Sequence, residues 1–450
     1  MVKKLPLKIF IIYGIGCFGW SISINLISVL LNYIYLPPSN TGMKNLVPQV
    51  AYLGFISVIS IVLFVGRAFD AIVDPILAHL SDKNRSKLGR RIPFMRYSFI
   101  PLSIFSTLIF FPIHHHENKI NIYWLAGTQL FFYFFFGMYT ISYNALLADI
   151  GQDDKTKLNL STAQSIGFMV GTLMASFTTV AVELLMRGGV TSDKLLAYQM
   201  SVLGLNVIGM ICLAVPAFFL DEKKYAAPAK SAGGMFDSLK TTLANKNFRI
   251  FALADASYFM SVSIISAGLL YYVTAMLHLK ESIGMAFILA MVIITLLCYG
   301  LVNWLGKKIS KKKLMIISFA AAAVVFSEIF FLGKVPISPY LQAGILVLTF
   351  GIPNAFLQIL PNTIVADISH EDIKETSQNK EGMFFGMRAF FQKIGQTGGV
   401  TLFAMLTIWG KDPGHDLGLR LSGVAGAVLC AMAAIAYTRF KEVSKHAKKA

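Results

Sequence analysis

Twelve runs of apolar residues, parted by short polar turns, occupy most of this sequence. They lie near 9–36, 50–80, 94–113, 121–150, 161–186, 196–220, 248–278, 283–305, 314–333, 338–366, 384–410 and 417–438. About 20 such residues cross a ~30 Å hydrocarbon core as an α-helix. No water there can satisfy backbone N–H and C=O groups, so each run has to satisfy its own, as a helix does. Several runs exceed 25 residues, which leaves room for tilt or for extension past the bilayer. Composition agrees: 14% of the 450 residues are charged and 56% hydrophobic, against roughly 25% charged in a soluble domain. The expected fold class is an all-α polytopic membrane protein of twelve transmembrane helices.

The longest polar stretch, Asp221 to Lys246, separates the sixth run from the seventh. It divides the chain into a six-helix bundle over 1–220, a cytoplasmic linker over 221–246, and a second six-helix bundle with a short basic tail over 247–450. With both termini and the even-to-odd loops assigned to the cytoplasm, that side carries 29 of the 40 Lys and Arg residues, against 8 on the other. The positive-inside rule then places both termini in the cytoplasm. The loop after span 2 reads Gly89-Arg90-Arg91, and the loop after span 8, six helices later, reads Gly306-Lys307-Lys308. A basic turn at the same place in each half matches the two-halves plan of the major facilitator fold.

A net charge of +17 suggests nucleic acid, but no basic patch sits on an otherwise soluble face, so nucleic acid is excluded as a partner. Cys17, Cys212, Cys298 and Cys430 stand singly in apolar runs and read as small buried hydrophobes. His114, His115 and His116 are adjacent rather than helically spaced, so they read as a solvated loop and no metal is expected there. No intramembrane nucleophile–base pair or metal-ligand set is visible, so the chain is not expected to be an enzyme, and no cofactor is expected. The N-terminal lysines precede an apolar run too long for a signal-peptide core. The aromatic run Phe131–Phe136 is expected to face lipid. Gly14, Gly16 and Gly19, and Gly395, Gly398 and Gly399, are expected to permit close helix contact.

The charges inside the spans carry the function, because each costs a few kcal/mol to insert. In span 2, Asp70 and Asp74 are four residues apart, so both carboxylates project from one face, with Arg67 close to it. Two carboxylates one turn apart can ligate a small cation through hard oxygens, or share a proton. The bland alternative is a charge cluster that locks span 2 to its neighbours through Arg67. Pro75 removes one helix hydrogen bond and is expected to kink the helix. Asp82, Arg90 and Arg91 form a cytoplasmic turn in which an acid can pair with an arginine and release it, a candidate gate. Lys393, about ten residues into span 11, is too deep to snorkel easily and is expected to face the cavity near span 2 of the other half. Arg388, one turn nearer the cytoplasm, is expected to snorkel. Asp255, Glu328 and Glu183 are expected at interfaces.

Arg67-x-x-Asp70-x-x-x-Asp74-Pro75, continuing through Asp82 to Gly89-Arg90-Arg91-x-Pro93, closely resembles the signature of the glycoside–pentoside–hexuronide:cation symporter family. That family is a branch of the major facilitator superfamily typified by melibiose permease. Tyr13-Gly14-x-Gly16-x-Phe18-Gly19, Ser142-Tyr143-Asn144-Ala145-Leu146, Asn245-Lys246-Asn247-Phe248-Arg249, Val365-Ala366-Asp367-Ile368 and Lys393-Ile394-Gly395 resemble it further, in order along nearly the whole chain. The resemblance implies that Asp70 and Asp74 bind the coupling Na⁺, Li⁺ or H⁺, and that Lys393 lies close to the cation and substrate sites. Arg67 would join Lys393 in charge balance. The family's sugar-binding acids, arginine and tryptophan do not carry over: their places fall at Ser21 and near Thr140, Ser165 and Gln358.

The resulting expectation is a cation-coupled symporter that moves a small solute, a sugar or glycoside, by alternating access. Ser21, Asn25, Thr140, Tyr143, Asn144 and Gln358 are the candidate substrate contacts, through hydroxyls and amides. Two other readings stay open: a lysophospholipid-type lipid symporter, since animal relatives of that kind also lack the sugar clamp, and a non-transporting membrane sensor. The expected partners are a small-molecule substrate and the bilayer. A monomer in the plasma membrane, the inner membrane of a bacterium, is expected to suffice.

Overall fold

The computed structural model describes residues 5–49, 51–52, 56–151, 154–225, 242–376 and 381–442. Each of the twelve expected spans is helical, and several starts are written in the sequence as capping residues. The Asp193 carboxylate accepts the N–H of Leu195 at 2.8 Å before span 6 (Lys194–Phe219). Asn245 accepts the N–H of Phe248 at 3.0 Å before span 7 (Lys246–Tyr271). Ser57 does the same for Ser60 at 3.1 Å at the head of span 2 (Val58–Lys83). Each side-chain oxygen satisfies a first-turn donor that the helix itself leaves without an acceptor. Nine of the described helices are at least 18 residues long with an apolar window. Spans 2, 3 (Ile92–Leu108) and 11 (Glu381–Leu406) fall outside that group: span 3 has 17 residues, and spans 2 and 11 carry the intramembrane charges.

Three boundaries differ from expectation. Span 2 begins at Val58 rather than 50, because Ala51–Tyr52 pairs antiparallel with Ile56–Ser57 ahead of it. Span 5 is two helices, Asp154–Ser176 and Thr178–Arg187. Span 10 (Pro339–Thr376) runs 38 residues and continues ten past the end of its apolar run. Span 2 stays one continuous helix through Pro75; the proline still withholds the N–H that the carbonyl of Ala71 would otherwise receive.

The chain divides into two compact units, Met1–Lys230 with Lys280–Met285, and Ser231–Leu279 with Ala286–Ala450. Most of the expected linker, 226–241, lies outside the described residues. Its described start is not a tether: Glu222–Tyr225 is a turn of helix whose Glu222 is buried in the first unit.

The two units repeat one packing plan. Span 1 (Leu7–Tyr35) packs against spans 5 and 6, and span 7 against spans 11 and 12 (Leu417–Thr438). Glycines make the first contact of each set possible. A side chain at Gly171 would come within 2.7 Å of the Ser21 Cβ, and one at Gly399 within 2.8 Å of the Ser263 Cβ. Backbones that approach this closely gain dispersion contacts, which replace the hydrophobic drive that lipid cannot supply. In the first unit, the rings of Tyr13 and Tyr143 stack at 4.2 Å and each hydroxyl donates to the other residue's carbonyl, binding span 1 to span 4 (Ile120–Ile150).

Candidate functional site

Span 2 lies against span 4, and the two faces interlock. On span 2 the facing positions are Gly66, Asp70 and Asp74, each four residues apart; on span 4 they are Gln129, Tyr133 and Gly137, spaced the same way. Residues four apart stack on one helix face, so this register is a direct result of spacing. Gly66 leaves room for the Gln129 amide, whose carbon lies 2.7 Å from where a Cβ on residue 66 would stand. Gly137 leaves room for the carboxylates: a Cβ there would stand 2.9 Å from Asp74 Oδ1 and 3.8 Å from Asp70 Oδ1. The two acids therefore turn an oxygen toward one point on span 4. Both oxygens are sealed from the surface, and Asp70 is 2% exposed. The Arg67 guanidinium lies over the Tyr133 ring, 5.1 Å from its centroid, a cation–π contact.

Two charged carboxylates that converge repel each other, and the buried Asp70 also pays to leave water. A bound monovalent cation or a shared proton relieves both costs, and hard oxygens suit an alkali ion. The arrangement offers a small cation hard oxygen ligands.

At the cytoplasmic end of span 2, Asp82 pairs with Arg91, as the turn was expected to allow. Asp149, at the end of span 4, pairs with Arg90 at 3.2 Å and with Arg91 at 3.3 Å. Ser81 accepts from Arg91 at 2.9 Å. Glu222 adds what sequence reasoning missed. Its carboxylate accepts the backbone N–H groups of Arg90 and Arg91 at 2.8 Å and of Ile92 at 3.0 Å. An anion at the head of span 3 meets donors without helical acceptors and the positive end of the helix dipole. Gly89 sits at φ +113°, and a Cβ there would land on the Glu222 carboxylate, so both the turn and the cap require glycine. The second unit repeats the pairing in outline: Lys311, after span 8 (Ile283–Lys308), pairs with Asp367 in span 10. The repeated Ala148-Asp149 and Ala366-Asp367 was the available signal.

Three expectations are corrected. Arg388 does not snorkel and Asp255 is not interfacial: the pair is buried, with side chains 9% and 2% exposed and a 2.9 Å bond. Gln392 donates to Asp255 at 3.0 Å, and Arg388 also donates to Asn362. A charged pair fixed from both sides holds spans 7, 10 and 11 together more effectively than an arginine in headgroups. The Phe131–Phe136 run does not simply face lipid. Phe132, Tyr133 and Phe136 are buried while Phe131 is exposed, because six consecutive residues pass all round a helix. Lys393 is half-buried on span 11, in the second unit.

The candidate substrate contacts separate by accessibility. Ser21, Thr140 and Tyr143 are buried, with hydroxyls donated to the carbonyls of Phe168, Phe136 and Tyr13. Asn25 is half-buried and bonded to Ser21. Asn144 and Gln358 are exposed; Asn144 accepts from Gln164 at 2.9 Å. Sequence reasoning also missed Glu281, which folds with the first unit. Tyr33 and Tyr198 each donate to it at 2.6 Å, and Lys194 pairs with it at 2.6 Å. A single acid in a short loop gives no sequence signal of such a role.

Comparison with known proteins accords with this architecture. The inner membrane symporter YicJ of Escherichia coli (strain K12) is 25% identical over 403 residues, covering 85% of this chain and 83% of that one. The isoprimeverose transporter of Lactiplantibacillus pentosus is 21% identical over 90% of this chain and 80% of its own. A solved structure of a mutant nucleoside transporter NupG superposes with a TM-score of 0.69, covering 97% of this chain and 99% of that one at 12% identity, which speaks to the fold. The family model for MFS/sugar transport proteins matches residues 12–442, nearly the whole length, and the chain, a multi-pass membrane protein of twelve spans in two halves, belongs to that family.

Proposed function

We propose that this protein is a cation-coupled symporter that carries a small solute, a sugar or glycoside, by alternating access, with the coupling cation held between Asp70 and Asp74. The observation that carries the reading is the convergence of the two carboxylates on Gly137. Two acids that turn an oxygen toward one point give a cation a site to which substrate binding can couple. If the cation favours the state that binds substrate, substrate raises cation affinity by the same factor. The relatives' names, a symporter and an isoprimeverose transporter among them, support the sugar class over a lipid substrate. Asn25, Asn144 and Gln358 are the candidate polar contacts with the best access, and Ser21, Thr140 and Tyr143 are buried in the first unit. Arg67 and Lys393 balance charge when no cation is bound, and Asp82, Arg90 and Arg91 close the cytoplasmic turn. The coupling ion is Na⁺ or H⁺. The protein works as a monomer in the plasma membrane, with both termini in the cytoplasm as the cation bias requires.

Uptake of radiolabelled sugars and glycosides into proteoliposomes, under imposed Na⁺ or H⁺ gradients, tests this. Each 100 mV acting on one co-transported charge supplies about 2.3 kcal/mol, or roughly 50-fold accumulation. Asp74→Asn is expected to lose accumulation while remaining folded, and Lys393→Ala to weaken the cation dependence. Full concentrative uptake by Asp74→Asn would refute the coupling role.

A further inference from the structure

Gln129 is 0% exposed, and among the described residues neither its amide nitrogen nor its amide oxygen meets a hydrogen-bonding partner. Such a group is expensive, because a buried polar atom that meets no partner has given up its water without replacement. Methionine, of similar length and apolar, would fill much the same space without that cost. The amide is also not loosely placed. Its carbon and nitrogen lie 2.7 and 2.8 Å from where the Cβ of residue 66 would be, and Gly66 has none. Span 4 thus supplies a carboxamide at the position where span 2 lacks a side chain. Positions 66, 70 and 74 share one face at about 5–6 Å per step, so the face reads amide, carboxylate, carboxylate.

From this we propose that Gln129 is a neutral arm of the coupling-cation site, one turn N-terminal of Asp70, whose carboxamide oxygen ligates an alkali cation, Na⁺ or Li⁺, on its way to the carboxylates. The inference rests on Asp70 and Asp74 forming the cation site. Hard monovalent ions take neutral oxygen ligands as well as carboxylates, and a neutral oxygen beside two acids attracts the ion without adding a third repelling charge. The amide nitrogen faces the same seam and serves as donor to a carboxylate oxygen or to water carried by the ion. An amide does not hold a proton near neutral pH, so the role belongs to a metal cation and not to H⁺.

The full-length purified protein tests this without knowledge of the transported solute. Thermal unfolding is followed against NaCl or LiCl, with choline chloride holding ionic strength constant, in wild type, Gln129→Leu, Gln129→Met and Asp74→Asn. Wild type is expected to gain stability from Na⁺ or Li⁺ with a saturable midpoint. Gln129→Met is expected to unfold at a higher temperature than wild type in choline, having lost an unsatisfied amide. It should also need about fivefold or more cation for half of its stabilisation, the scale of one lost polar contact. A residue with only a structural role would not give both effects. A wild-type midpoint in the Leu and Met variants overturns the proposal, as does a lower stability in choline with the midpoint unchanged, which marks a packing or water-bridging residue. A wild type that responds to pH but not to Na⁺ or Li⁺ overturns it too, while leaving proton coupling at the acids intact. Failure of the carboxylate reading shows separately, as an Asp74→Asn protein that responds to cation like wild type.

Discussion

Gly137→Ala is the sharpest perturbation the geometry offers, because it adds one methyl group where two carboxylates converge. In a helix interior alanine is favoured over glycine by about 0.5–1 kcal/mol, so local propensity gives no reason for the span to weaken. The methyl carbon, however, would stand 2.9 Å from Asp74 Oδ1 and 3.3 Å from Leu77 Cδ1. Ordinary carbon–oxygen approach is about 3.3–3.6 Å, so the Asp74 carboxylate has to retreat by roughly half an ångström. Ion–ligand distances hold to within about 0.2 Å, so that retreat removes or weakens one charged ligand. Misplacement on this scale costs on the order of tenfold to a hundredfold where geometry is demanding. The expected result is a folded protein whose half-saturating cation concentration rises by that factor, with substrate affinity at saturating cation nearly unchanged. Cation titration of uptake in proteoliposomes, with a parallel thermal melt, reads both. A folded Gly137→Ala protein with a wild-type cation midpoint would show that the convergence is packing and not a site.

Two further perturbations probe a buried helix cap and a buried ion pair. Gly89→Ala forces a side chain into φ +113° and displaces the Glu222 carboxylate from three N–H donors. It should cost roughly 3 kcal/mol or more in strain and lost charge-assisted bonds, read as a fall in melting temperature, whereas Glu222→Gln should lose only part of that. Asp255→Asn leaves the buried Arg388 guanidinium without its counter-charge, which is expected to destabilise by about 3–5 kcal/mol. The double variant with Arg388→Met should recover much of the loss in a thermal double-mutant cycle, and strictly additive losses would contradict the pairing.

Much of this protein is fixed by the order of its residues alone. Bilayer thickness and the need to satisfy every backbone group determine twelve helices, and Asp193 and Asn245 cap the starts of two of them. The 3.6-residue period places Asp70 and Asp74 on one face, since neighbours on one helix follow from spacing. Pairing across helices does not. That Gly137 opposes the two acids, that Gln129 fills the gap at Gly66, and that Arg388 turns inward to Asp255 depend on which helices meet and at what register. Glu222 reached the head of span 3 from a stretch that composition marked as linker. In each case the partner lies tens to more than a hundred residues away, and a shift of one residue in packing register would change it. The sequence determined which charges enter the membrane; only the packed helices decided what each of them faces.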